Sequence, residues 1–223
     1  MLIEAKGLEK AFPLGDGESK VIKGIDLSID SGEFVVIMGP SGSGKTTLLY
    51  LLSGLEKKTK GELSLFGKEI ESYNDHDLSN LRKTRIGFVF QFYNLIPNLT
   101  VYENVKLAAR IAKNQADPML YLEKVGLKEY KDYLPESLSG GMRQRVAIAR
   151  ALINNPDIIF ADEPVGALDS KMGQEIMELF KKINIEDKKT IIMVTHLLDN
   201  VKYASRVIYI KDGVIEKEEK LTD

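Results

Sequence analysis

Three short stretches carry residue types suited to chemistry on phosphates. In "MGPSGSGKTTLL", the residues Gly39, Pro40, Ser41, Gly42, Ser43, Gly44, Lys45 and Thr46 fit the pattern G-x-x-x-x-G-K-[ST]. Glycines at these positions let successive backbone N–H groups point at one centre, a nest for an anion. A helix opening at Lys45, with Thr46 and Thr47 in its first turn, would present its positive end to the same spot. Lys45 would reach the β- and γ-phosphates of a nucleotide, and the Thr46 hydroxyl would ligate Mg²⁺, which prefers oxygen ligands. In "IIFADEP", Asp162 and Glu163 follow an apolar run and precede a proline. Ligands of open parallel sheets sit beyond the carboxyl ends of the strands. There Asp162 would hold Mg²⁺ through water, and Glu163 would polarise the water that attacks the γ-phosphate. Alone, the acidic pair also reads as a solvated strand end. In "ESLSGGMRQRVAIARAL", Ser139, Gly140 and Gly141 open a helix and offer a second anion site.

The elements around these stretches follow from periodicity. "LIEAKGLEKAF" and "KVIKGIDLSI", joined through the Gly/Asp-rich "PLGDGES", read as paired strands of an antiparallel edge. "EFVVIMG", "GELSLFG", "IGFVFQ", "DIIFADEP", "KKTIIMVTH" and "RVIYIKDG" read as strands, and Lys45 to Ser53, "DLSNLRK", "KMGQEIMELFKKI" and "LLDNVKYA" as helical. Thr100 followed three residues later by Glu103 is a capping box, and Asp117-Pro118 opens a further helix. The helix after Ser139 would run until Pro156 stops it. Strands alternating with helices imply an α/β fold: a P-loop core with a mostly parallel sheet, an N-terminal antiparallel β sub-domain and an inserted α-helical sub-domain. The expected organisation is one domain over 1–223. Its parts would be the antiparallel edge (1–32), the glycine-loop part of the core (33–91), the helical sub-domain (92–150) and the acidic-strand part (151–223).

The 223 residues suit one large domain, and 43% hydrophobic content suits a packed core. A formal net charge of -2 gives no basic field for nucleic acid or anionic lipid. Cysteine is absent, which removes disulfide and thiolate chemistry. The N-terminal residues lack the apolar core of a signal peptide, and no window reaches the roughly 18 apolar residues of a membrane span. A membrane role would therefore come through a partner, without direct insertion.

The order of motifs resembles the ABC-type ATPases over essentially the whole chain: glycine loop, Gln91 at the end of "IGFVFQ", "LSGGM", Asp162-Glu163, Asp169 in "GALDS" and His196 after "TIIMVT". The resemblance implies a homodimer holding two ATP molecules, each between the glycine loop of one subunit and the signature helix of the other. It implies that Phe12 stacks on adenine, although an aromatic at a strand end is more usually core. Ser139, Gly140 and Gly141 would bind the γ-phosphate of the partner's ATP. Gln91 would sense Mg²⁺ and the lytic water and couple to a membrane domain. His196 would contact the γ-phosphate and the water, although a lone histidine is more often a satisfied buried one. Asp169 would cross the dimer interface, or simply cap the helix near Ser170. Two positions depart from the pattern: Met142 stands where the signature usually has Gln, and Val165 where this branch usually has Thr.

"GPSGSGKTTLLYLLSGLEKKTKGEL", "FVFQFYNLIPNLTVYENV" and "ADEPVGALDS" look most like the ATPases of macrolide exporters, lipoprotein-release systems and bacitracin-type peptide-resistance transporters. That implies a separate permease chain as partner, a place at the cytoplasmic face of the cell membrane, and export or extraction of a peptide, lipoprotein or drug. One rival is a cassette regulating a membrane partner, as in cell division. DNA-repair or translation cassettes would carry a coiled-coil insertion, zinc cysteines, fused cassettes or a basic face. A simple P-loop kinase would leave the signature helix without a use.

Overall fold

The computed structural model describes residues 1–15 and 17–221; Asp16, in the turn of "PLGDGES", lies outside them. In chain order its elements are β1 (Ile3–Leu14), β2 (Gly17–Ile29), β3 (Phe34–Met38), α1 (Lys45–Leu52), β4 (Lys60–Leu65), β5 (Lys68–Glu69), α2 (Asp75–Thr84), β6 (Ile86–Phe90), α3 (Val101–Ile111), α4 (Pro118–Lys124), α5 (Gly140–Leu152), β7 (Ile158–Asp162), α6 (Ser170–Asp187), β8 (Thr190–Thr195), β9 (Arg206–Lys211) and β10 (Val214–Lys220). "LLDNVKYA" is helical as the tighter 3₁₀ form, Leu198–Tyr203. Among the described residues no helix is long and apolar enough to cross a membrane. The chain divides into two compact units, one of residues 1–78 with the chain from Thr190 onward, the other Ser79–Lys189.

In the first unit, β2, β1, β4 and β5 form an antiparallel sheet in that order. Beside it β3 lies between β8 and β9, parallel to both, and β10 closes antiparallel on β9. Every residue of β3 and of β8 is buried. Burial on both faces is what an unbroken apolar run such as Phe34–Met38 requires, because helices cover the faces of a parallel sheet. α1 packs against β8, and its Leu48, Leu49, Leu51 and Leu52 are all buried.

In the second unit β6 and β7 pair in parallel, from Ile86 opposite Ile158 to Phe90 opposite Asp162. Phe88 stacks on both Phe90 and Phe160, at 5.8 and 5.6 Å between ring centres. α5 is the hub: it packs on β6, α3, α4 and α6, and buries Val146, Ala147, Ile148 and Ala149 without a break. The expected starts hold. The Thr100 hydroxyl accepts from the Glu103 N–H while the Glu103 carboxylate accepts from the Thr100 N–H, and Asp117 caps α4 with Pro118 in its first turn.

One expected end moves. α5 stops at Leu152, short of Pro156. The Asn154 side chain donates to the carbonyls of Lys83 and Ala108, and Asn155 turns left-handed at φ 51°. These long-range bonds compete with a further helical turn before the proline can act.

Candidate active site

The glycine loop lies in the first unit, between the last residue of β3 and the first of α1. Gly44 takes φ 100°, a conformation open to glycine and costly for other residues, and so turns the chain into the helix. A Cβ there would lie 2.9 Å from Ile22 Cδ1 and 3.1 Å from the Val21 carbonyl oxygen. Gly39 is constrained more tightly, since a Cβ would fall 2.1 Å from the carbonyl oxygen of Ile210 on β9. The loop is closed by the Ser43 N–H donating to the Pro40 carbonyl (3.3 Å) and the Gly213 N–H donating to the Ser43 carbonyl (3.1 Å).

Two features of this loop suit an anion. No side chain caps the N-terminus of α1, because its capping position is a glycine, so the first N–H groups gain no acceptor from it. The Ser43 hydroxyl is buried without a hydrogen-bond partner, an arrangement that costs about 1–3 kcal/mol until an acceptor reaches it. Lys45 is 6% exposed, and its ammonium donates to the Pro40 carbonyl at 2.8 Å. The lysine thus lies back over its own loop, paired to a neutral oxygen. Ser41, Gly42 and Thr46 are exposed and Thr47 half-buried.

His196 follows β8 in the same unit and is exposed, so it is not the buried histidine that a lone one usually is. Its turn is fixed by the buried Thr195, whose hydroxyl accepts from the Leu197 N–H (3.1 Å) and from the Asn200 side-chain amide (2.9 Å). Phe12, on β1, is half-buried with the Lys10 ammonium 4.6 Å from its ring centre. It is neither core nor bare surface.

The second unit holds the other residues. Because Phe90 pairs with Asp162, the chains leave the two strands side by side, and the next residues are Gln91 and Glu163. The structure brings their side chains together: a Cβ on Gly166 would lie 3.1 Å from Gln91 Nε2 and 3.2 Å from Glu163 Oε2. Glu163 itself adopts φ 45°, a left-handed conformation rare outside glycine, and the Gly166 N–H donates back to its carbonyl at 3.0 Å. Strain of this kind, about 1–3 kcal/mol, collects at functional sites. Asp162, half-buried, ends β7 just before it. Nothing in the local sequence announces Gly166; its role in leaving room for both side chains emerges only in three dimensions.

Ser139 caps α5, its hydroxyl accepting from the Met142 N–H at 3.3 Å. Ser139 is exposed and Gly140 half-buried at the head of the helix, while Gly141 is buried, with a Cβ there meeting Met172 Sδ at 3.0 Å. Asp169 caps α6 by accepting from the Met172 N–H at 2.9 Å, and it is exposed. The capping reading is realised, and the exposure leaves it open to a second contact. Val165 is 3% exposed, and a Cβ on Gly173 of α6 would be 3.7 Å from its Cβ. A branched apolar side chain therefore suits a position where threonine would bury a hydroxyl.

Of the residues expected at Mg²⁺, Thr46 belongs to the first unit and Gln91 and Asp162 to the second; each carries a side-chain oxygen, the donor type this cation prefers. Among the described residues no group of three or more His, Cys, Asp or Glu gathers as a metal site. A cation held here would draw further ligands from phosphate and water.

Comparison with known proteins supplies the rest. A family model described as ABC transporter matches residues 22–166. An uncharacterized ABC transporter ATP-binding protein of Methanocaldococcus jannaschii, MJ0796, is 45% identical over 229 residues, covering 99% of this chain and 97% of that one. Its dimeric structure in a post-hydrolysis state bound to ADP and Pi matches with a TM-score of 0.90 at 43% identity over 99% of both chains. The expected α/β P-loop fold is thereby borne out. The bacitracin export ATP-binding protein BceA of Halalkalibacterium halodurans is 43% identical over 96% of this chain and 87% of its own. The macrolide export ATP-binding/permease protein MacB of Bdellovibrio bacteriovorus is 43% identical over 99% of this chain, which spans 34% of its length.

Proposed function

The chain belongs to the ABC transporter family and is an ATP-binding ATPase, and on that premise we propose that it dimerises around two ATP–Mg²⁺ to drive a separate membrane permease. The work done is export or extraction of a peptide, lipoprotein or drug, at the cytoplasmic face of the membrane. The observation that carries the catalytic part is the meeting of the Gln91 amide and the left-handed Glu163 carboxylate beside Gly166. The transport branch is supported by 43% identity to relatives named for macrolide and bacitracin export.

The residues divide the labour as follows. The N–H groups of residue 39 and residues 41–47 and the Ser43 hydroxyl take the phosphate oxygens, with Ser41, Gly42 and Gly44 shaping the loop. Lys45 leaves the Pro40 carbonyl for the β/γ-phosphate oxygens, exchanging a neutral acceptor for a charged one and a stronger bond. Phe12 lies against adenine. Thr46, Gln91 and Asp162 would hold Mg²⁺, which would neutralise charge on the phosphates when bound. Glu163 takes a proton from the attacking water as its oxygen bonds to the γ-phosphorus. The bond from that phosphorus to the β–γ bridging oxygen breaks, and ADP leaves with the electron pair. Gln91 and His196 orient the water, and His196 donates to the γ-phosphate. Ser139, Gly140 and Gly141 of the partner subunit close over the same phosphate, and Asp169 meets the partner across the interface.

The test uses tagged Glu163→Gln, which keeps the shape of the side chain and removes the base. With ATP and Mg²⁺ it should form a stable dimer by light scattering, hydrolyse at most about a hundredth as fast as the parent, and recover a permease from detergent-solubilised membranes. Parental hydrolysis would remove Glu163 as the base. Recovery of soluble or nucleic-acid-bound proteins alone would overturn the transport reading.

A further inference from the structure

The segment after Gln91 holds two successive left-handed residues, Tyr93 at φ 59° and Asn94 at φ 49°. Neither is glycine, and two together cost about 1–2 kcal/mol each in the absence of compensating contacts. The compensation comes from a residue far along the chain. The Arg150 guanidinium, near the end of α5, donates through Nη2 to the Tyr93 carbonyl (2.8 Å) and through Nη1 to the Asn94 carbonyl (2.5 Å). Among the described residues Arg150 meets no carboxylate; burial pulls its guanidinium below the ordinary arginine value, and the two carbonyls are its compensation. A planar fork spanning two consecutive carbonyls is a geometry that arginine can make and lysine cannot.

The same segment touches α5 along its length. The Gln144 side-chain amide donates to the carbonyl of Phe90, the residue before Gln91, at 3.4 Å. The Arg143 guanidinium lies 5.7 Å from the centre of the Tyr93 ring. A Cβ on Gly140 would meet the Tyr93 hydroxyl at 2.9 Å, so the ring reaches the first turn of the helix.

We propose that Arg150 is a positioning residue for Gln91: its fork pins Tyr93 and Asn94 to α5, so that Gln91 and the head of that helix are set as one piece. Arg150 acts through the segment it holds, by its bonds to the Tyr93 and Asn94 carbonyls. The inference rests on the role given to Gln91 above.

The test is a double-mutant cycle on the full chain with Arg150→Lys, which keeps the charge and loses the fork, and Gln91→Ala. In the parent background Arg150→Lys should lower kcat about tenfold with KM within about twofold, the signature of a contact used in the transition state. In the Gln91→Ala background it should lower kcat no further. An equal additional loss there overturns the proposal, because the arginine would then act independently of Gln91. Hydrogen exchange on the same proteins needs no hydrolysis and separates this inference from the site assignment. Exchange should accelerate about tenfold at residues 92–95 in Arg150→Lys and stay within about twofold across α5. No change at 92–95, or faster exchange across the whole helix, overturns the tether. Parental hydrolysis by Gln91→Ala with selective mobilisation of 92–95 would instead retain the tether and remove the Gln91 role.

Discussion

Gly39→Ala isolates the geometry of the glycine loop. The added methyl would sit 2.1 Å from the Ile210 carbonyl oxygen, where ordinary contact begins near 3.4 Å, so something must move by about 1.3 Å. The obstacle is backbone, and it belongs to β9, which pairs with β3 from Val35 opposite Arg206 to Met38 opposite Tyr209. No rotamer change relieves it. Overpacking of this kind costs about 1–3 kcal/mol, and a rigid partner places it at the upper end. In a chain of this size about 3 kcal/mol lowers Tm by about 6–12 °C. The methyl also crowds the Ser43 hydroxyl at 2.8 Å, so ATP affinity should fall as well, by about tenfold for a displaced hydrogen bond. Gly42→Ala is the control. Its φ is 78° but a Cβ there meets nothing within 4 Å, so only the conformational cost of about 1–2 kcal/mol applies. Scanning calorimetry and equilibrium binding of ATP read both variants. A Gly39→Ala protein that melts and binds as the parent does, or no worse than Gly42→Ala, refutes the close approach of loop and strand.

Lys45→Ala should weaken ATP binding about 10–100-fold by equilibrium dialysis, the worth of a charge-assisted bond of about 1.5–3 kcal/mol. Its Tm should change little, because among the described residues the ammonium donates to the Pro40 carbonyl alone, a neutral acceptor. Asn200→Ala removes one of the two donors on the Thr195 hydroxyl and loosens the turn that presents His196, so kcat should fall about tenfold with unchanged ATP affinity. Steady-state kinetics with ADP release as the signal would show the split. The backbone N–H of Thr100, and then its side chain, hold the Glu103 carboxyl below the usual carboxylate range. Its contribution is therefore complete above the ordinary glutamate value and lost as pH falls through the lower folded one. Amide exchange at the start of α3 should accelerate on acidification through that window, and Glu103→Gln should remove the pH dependence.

What could be read from the sequence was local. The glycine turn of residues 39–46, the Thr100–Glu103 box and Asp117-Pro118 each complete their signal within eight residues, and the helix start that each implies forms there. The misses have partners far along the chain. The early end of α5 depends on Asn154 reaching Lys83, 71 residues away. The left-handed pair at Tyr93 and Asn94 depends on Arg150, 57 and 56 residues away. Gly166 reads as an ordinary loop glycine until Gln91 arrives beside it from the neighbouring strand. Val165, a departure from the expected threonine, makes sense once its burial against α6 is known.

The left-handed backbone at Glu163 sets the carboxylate proposed as the base against the stability of its own turn. Asparagine accepts that conformation several times more readily than glutamate does. A copy of this chain released from the duty to hydrolyse would thus find substitutions such as Glu163→Asn downhill, and would gain melting temperature as it lost turnover. On the proposed role, the relaxed state of the turn is the inactive one, and the glutamate holds the turn away from it.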